Sequence, residues 1–306
     1  MKIADLSSKG VHDRMSSAGL AMAIPPITVR LRSPLLFFAE QIRALYADYD
    51  VLDVDRFADA DIRLLPVPGV RHWLGRQVQF IVDGVAPFEP FPLDHALPMF
   101  EWGLNWVFCH RMHQFLLLHS AVVERGGRAL LLPAWPGCGK STLAASLSCR
   151  GWRFLSDEFG VVSFDGAKVL PFARPVALKN ESIGVMRAFD DASFIGPVFP
   201  KTRKGDVAHF RVPSASVSKA DQAADIAVIV FPDFQSGAAV EILPLARATA
   251  FLKLAGNAFN YEVVGERGFQ AIASIMQRCP SVILRYGDLD AAHAAIDHIM
   301  QSAAGA

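Results

Sequence analysis

Charge of one sign is missing from this sequence: 30 Lys and Arg stand against 30 Asp and Glu, a formal net charge of +0. No global field therefore draws the chain toward nucleic acid or an anionic membrane. Cysteine is scarce, with Cys109, Cys138, Cys149 and Cys279 alone and no C-x-x-C spacing. A chain of this size has no need of a disulfide framework, which fits a reducing cytoplasm. Long apolar runs are absent too: no stretch reaches the roughly 18 residues of a membrane span. The opening MKIADLSSKGVHDRM carries charge where a secretory signal needs an apolar run. Internal repeats and low-complexity tracts are lacking beyond the small tail Gln301 to Ala306. These absences predict a cytoplasmic protein with neither nucleic acid nor membrane as partner.

What is present is apolar bulk. Hydrophobic residues make up 52% of 306 positions, enough to fill one large domain or two modest ones. Residues 1–26 lack a steady period and end in Pro25-Pro26, which reads as a loosely held arm. Ile27 to Leu31 alternates like a strand, Leu35 to Tyr49 has helical spacing, and Ile62 to Val67 and Val78 to Val82 read as strands on either side of the turn-rich VPGVRHWLGR. The prolines of APFEPFPLDHALP forbid regular structure and predict a boundary near residue 90. That gives a smaller α+β region over 1–90 and a domain over 91–306. In the second part, a buried helix from Leu93 leads to two apolar strands, Phe115 to Val123 and Arg128 to Pro133, joined through Gly126-Gly127 as a hairpin. Beyond them strands and helices alternate to the end, so the fold class is α/β.

The chemistry concentrates at LLLPAWPGCGKSTLAASL, where G-x-G-K-S-T lies between an apolar strand and a helical pattern, the setting a P-loop requires. Glycines let the backbone curl until its N–H groups point at phosphate oxygens, and the helix adds its positive dipole end. Pro136, Gly137, Cys138, Gly139, Lys140, Ser141 and Thr142 are the expected contacts. Lys140 would reach the β- and γ-phosphates, and Ser141 would offer a hydroxyl to Mg²⁺. Ala134 takes the place of the first glycine, a substitution that would cost about 1 kcal/mol if that position needed positive φ.

A little further on, WRFLSDEFGVV supplies Asp157 and Glu158 after a short apolar strand. Magnesium takes hard oxygen ligands, one or two carboxylates with substrate phosphates, so Asp157 is the expected metal ligand beside Ser141. Glu158 is left as the base that orients an attacking hydroxyl and accepts its proton. His119 closes the apolar strand QFLLLH upstream; a lone histidine there is more often structural than catalytic. Two basic segments follow the acidic pair, ARPVALKNESIG with Arg174 and Lys179, and FPKTRKGDVAHFRVP with Lys201, Arg203, Lys204 and His209. Held near a γ-phosphate, such cations would stabilise the charge that builds there.

With these residues in place, LHSAVVERGGRALLLPAWPGCGKSTLAASLSCRGWRFLSDE resembles the core of the HPr kinase/phosphorylase family. There a histidine before a strand pair, a P-loop and a double-acid motif follow in this order. The likeness covers roughly residues 113–165 and weakens through the basic segments, which look more like HPr-kinase-related kinases. The resemblance implies a phosphoenolpyruvate carboxykinase-like P-loop core, ATP (or another nucleoside triphosphate) with Mg²⁺, and transfer to a serine hydroxyl of a protein, peptide or small molecule. It implies Asp157 as metal ligand or base, Glu158 as the second acid and His119 beside the reacting phosphate, and, from the family's habit of forming rings, a homo-oligomer. Departures are visible: Ala134, Trp135 and Pro136 replace small residues, Glu158 replaces an aspartate, and the signature of the reverse, phosphorylase reaction is lacking. HPr itself is therefore not the expected substrate. The alternative is a nucleotide-dependent switch or regulator with the same loop and no transferase activity.

Overall fold

The computed structural model describes residues 1–69, 75–135 and 137–303, and the chain forms two compact units that interleave in sequence. The first takes Met1–Phe108, Arg174–Arg187 and Asp191–Ser218; the second takes Cys109–Ala173, Ala188–Asp190 and Lys219–Ala306. A single boundary near residue 90 does not describe this division. The class is mixed α/β, as the alternation of elements suggests.

In the first unit the expected N-terminal arm is an ordered part of the core. A helix Ser8–Ser16 begins at Ser7, whose side chain accepts from the Gly10 amide and so satisfies one of the free donors of the first turn. It runs into a strand, Leu20–Ile24, paired antiparallel with Ile27–Arg32 from Leu20↔Leu31 to Ile24↔Ile27. Ile3, Val11, Met15, Leu20, Met22 and Ile24 are buried, each contributing about 1.5–3 kcal/mol of transfer free energy for a full-sized apolar side chain. The strands Ile27–Arg32, Ala60–Pro66, Gln77–Val82 and Phe91–Pro92 extend this into a five-stranded sheet. The proline-rich stretch belongs to the same unit. Phe88 stacks on Trp102, and its carbonyl accepts from Gln79 Nε2 at 2.6 Å. A second, three-stranded sheet orders Val176–Lys179, Gly205–Phe210 and Phe199–Thr202.

The second unit carries the larger sheet, of eight strands. Its centre is the hairpin Leu116–Arg125 and Arg128–Pro133, closed by Gly126 and Gly127 at φ 63° and 81°, a two-residue turn that only glycines enter without strain. Ala224–Phe234 lies parallel to Arg128–Pro133, and Ser281–Tyr286 parallel to Ala224–Phe234. These inner strands read as continuous apolar runs because both faces are covered. Leu118, Val122, Leu131, Ile229, Ile272 and Ile275 are among the buried residues of one core cluster. The last two come from the helix Glu266–Arg278, which buries Ala271, Ile272, Ile275 and Met276 as one stripe. The helices Lys140–Cys149 and Leu289–Ser302 also contact this sheet. Among the described residues no helix is long and apolar enough to cross a membrane.

Candidate active site

The strand Arg128–Pro133 is followed in sequence by the helix Lys140–Cys149, and Gly137 to Gly139 lead directly into that helix. Gly137 and Gly139 adopt φ of 95° and 83°, a region from which a Cβ is nearly excluded. Gly139 is constrained twice over, since a Cβ there would stand 2.5 Å from the Tyr286 hydroxyl and 2.9 Å from Phe234 Cβ. Those two rings meet edge to face at 5.5 Å and brace the turn from below. Gly139 is the N-cap and offers no side chain to the first helical amides, so these donors are left for an external acceptor. Ala134 does not incur the expected strain. The non-glycine residues with positive φ among those described are Asp83, Asn180 and Lys201. Pro136, expected as a contact, lies outside the described residues.

Lys140, only 7% exposed, directs its ammonium to the acidic pair. Its Nζ donates to the Asp157 carbonyl at 2.7 Å, and stands 4.0 Å from Asp157 Oδ1 and 4.0 Å from Glu158 Oε2. Glu158 Oε1 is in turn 3.7 Å from His119 Nε2. These separations are ion-pair distances too long for hydrogen bonds. Asp157 Oδ1 is buried with no hydrogen-bond partner, a state that costs free energy until a donor or cation arrives. Ser141 and Thr142 follow in the first helical turn, both half-buried. So His119, Lys140, Asp157 and Glu158 come together, with the loop glycines, Cys138, Ser141 and Thr142 alongside.

His119 does not close its strand. It is the fourth residue of Leu116–Arg125, paired opposite Phe159. The burial of its imidazole lowers the pKa, the Lys140 ammonium pushes the same way, and Glu158 and Asp157 oppose, so the ring is neutral at neutral pH. What fixes it is a segment that sequence inspection passed over. The His119 amide donates to the Asn257 carbonyl at 2.7 Å, and Asn257 Nδ2 donates to the His119 carbonyl at 2.9 Å. Asn260 repeats the device, accepting from the Leu117 amide at 3.0 Å and donating to the Phe115 carbonyl at 2.9 Å. Between them Phe259 sets its ring 5.3 Å from the imidazole. The only sequence signal was N-A-F-N, two amides three residues apart after a helix, and nothing local says which strand they hold.

The cations of the later segments belong to the first unit. Arg174 is buried there, its Nη1 donating to Glu101 Oε2 at 2.9 Å and its Nη2 to Asn105 Oδ1. Lys179 ends the strand Val176–Lys179, where its amide donates to Ser182 Oγ at 2.7 Å. His209 is buried on Gly205–Phe210, and Arg203 lies over the Phe91 and Trp102 rings. Compared with protein-family models and with curated proteins, the chain matches none of them.

Proposed function

We propose that the chain is a kinase that transfers the γ-phosphoryl group of ATP, or of another nucleoside triphosphate, to a hydroxyl, with serine as the expected acceptor type. The observation that carries this reading is the buried lysine of a strand, glycine loop and helix junction, set against two carboxylates of which one has an oxygen with no partner. Such an oxygen suits a hard divalent cation, and the fit is chemical as well: Asp157 and the Ser141 hydroxyl are oxygen donors of the kind Mg²⁺ takes. Bound there with the triphosphate, Mg²⁺ would supply charge neutralisation across the β- and γ-oxygens.

In this proposal the free amides after Gly139 receive phosphate oxygens, and Lys140 leaves the Asp157 carbonyl to meet the negative charge of the β- and γ-phosphates. Glu158 accepts the acceptor's proton as its oxygen bonds to the γ-phosphorus and the bond to the bridging oxygen breaks, releasing the nucleoside diphosphate. Neutral His119 stands beside the glutamate, 3.7 Å from its other oxygen. Arg174 is not assigned a part, being taken up by Glu101. The phosphoenolpyruvate carboxykinase-like core and a cytoplasmic setting belong to the same proposal, supported by the parallel pairing of Arg128–Pro133 with Ala224–Phe234 and by the charge balance.

The test is incubation with γ-labelled ATP, Mg²⁺ and extract of the source cell, native chain against Lys140→Ala. Label that appears on one species only with the native chain identifies the acceptor. Equal labelling by both sinks the kinase reading, and saturable nucleotide binding without transfer would favour a nucleotide-dependent switch.

A further inference from the structure

The first unit holds a cavity of about 540 Å³, within the range of sites that take small ligands. Its wall is apolar where Phe37, Leu93, Val198 and Phe199 line it. Phe37 and Gln41 lie one turn apart on the helix Leu36–Leu45, so a single helix face presents a ring and an amide side by side. Gln41 is among the residues that line the cavity, and its Oε1 is buried with no hydrogen-bond partner. His95, itself buried, sets its ring edge-on to Phe199 at 6.1 Å and closes that side. At the exposed rim stand one cation, Arg76, and one anion, Asp94. Among the described residues neither is ion-paired with the other or with a third group.

One cation and one anion on the lining of one apolar cavity are complementary to a molecule that carries both charges and an apolar body. A carboxylate suits the planar fork of Arg76. An ammonium suits Asp94 and brings the donor that the Gln41 oxygen lacks. A ligand with one charge would leave a rim group unanswered. We propose that this cavity is a binding site for a free α-amino acid with an apolar side chain, seated with its carboxylate on Arg76, its ammonium between Asp94 and Gln41, and its side chain against Phe37 and Phe199.

This goes beyond the phosphotransfer reading and does not depend on it, since it concerns no residue of the glycine loop. The test is calorimetric titration of the full chain with L-phenylalanine and L-leucine, alongside hydrocinnamate and phenethylamine as analogues with one charge each. The amino acids are expected to bind saturably, and each analogue about tenfold more weakly, the factor one lost charge-assisted contact carries. Arg76→Ala should weaken L-phenylalanine and leave phenethylamine unchanged; Asp94→Asn should weaken L-phenylalanine and leave hydrocinnamate unchanged. Gln41→Leu removes the unpaired oxygen for an apolar group of similar size, so it should raise the melting temperature while weakening the amino acid, a split that a purely structural glutamine would not give. The proposal is overturned if no amino acid binds saturably up to about 10 mM, beyond the millimolar floor of weak specific binding. It is equally overturned if the single-charge analogues bind as well as L-phenylalanine, or if Gln41→Leu leaves its affinity unchanged.

Discussion

Each unit buries a cluster of charge, and the two are built in opposite ways. In the first, Glu101 and Arg174 are each 8% exposed. The carboxylate receives Arg174 Nη1 on one oxygen and the Tyr46 hydroxyl, at 2.5 Å, on the other. In the second, Lys140 is buried as deeply, yet its carboxylate neighbours stand 4.0 Å away and Asp157 Oδ1 has no partner. Desolvating a charge costs several kcal/mol, and only close geometry with satisfied hydrogen bonds returns it. The first cluster meets that condition at both carboxylate oxygens. The second meets it only when something else enters, which is why the proposal places the ligand there and leaves Arg174 out.

The largest expected effect comes from breaking the closed cluster. Arg174→Ala leaves Glu101 buried without its cation and should destabilise the chain by about 3–5 kcal/mol, read as a fall in the urea midpoint. An unchanged midpoint would mean the pair is no more than decoration. Lys140→Ala should behave the other way. Phosphoryl transfer should drop by about 10²–10³-fold, the loss usual for one preorganised charge at a reacting centre, while the urea midpoint barely moves. Loss of folding in that variant would deny the contrast between the two clusters.

How much of this was legible in the sequence follows the same line. Gly126, Gly127, Gly137 and Gly139 announced themselves because positive φ is a local demand that the residue type records. Lys140, Asp157 and Glu158 were legible because they sit beside elements whose period is visible. Arg174 was read as facing phosphate because its charge is visible and its partner, 73 positions earlier, is not. His119 looked terminal because the pairing that carries the strand on to Arg125 is with residues after a turn, and Asn257, which fixes it, is 138 positions away. The N-terminal helix was missed for a related reason. Val11 and Met15 are its buried residues, too few to show a period, and helix and first strand are ordered by packing on Leu36–Leu45 and Ile27–Arg32.

A third prediction probes the surroundings of Arg174 through pH. Burial first, and the Arg174 guanidinium second, push the His209 imidazole down to about 3. The folded state therefore holds this ring neutral while the unfolded chain takes up a proton near pH 6.5. Stability is complete above the unfolded value and is lost as pH falls toward the folded one. Between pH 7 and pH 5 the loss should be about 2 kcal/mol, and His209→Phe should flatten that slope in urea unfolding across the same range. A slope unaltered by the substitution would assign the acid sensitivity elsewhere.

The smallest effect is the one that best separates the two clusters. In a closed network, neutralising a carboxylate removes a partner and destabilises; Glu101→Gln should do so. Asp157 is different, because its Oδ1 has no donor to lose and its side chain is 11% exposed. Asp157→Asn keeps the shape and removes a buried anion that accepts no hydrogen bond at Oδ1 and meets Lys140 only at 4.0 Å, so the ligand-free chain should gain up to about 1 kcal/mol, the scale of one unsatisfied buried group relieved. With Mg²⁺ and nucleotide present the order should reverse, since ligand that binds only the native chain stabilises that chain alone. A thermal scan with and without Mg²⁺-nucleotide reads both halves. If Asp157→Asn melts lower than the native chain in both conditions, the open carboxylate is a structural strut and the contrast between the clusters fails.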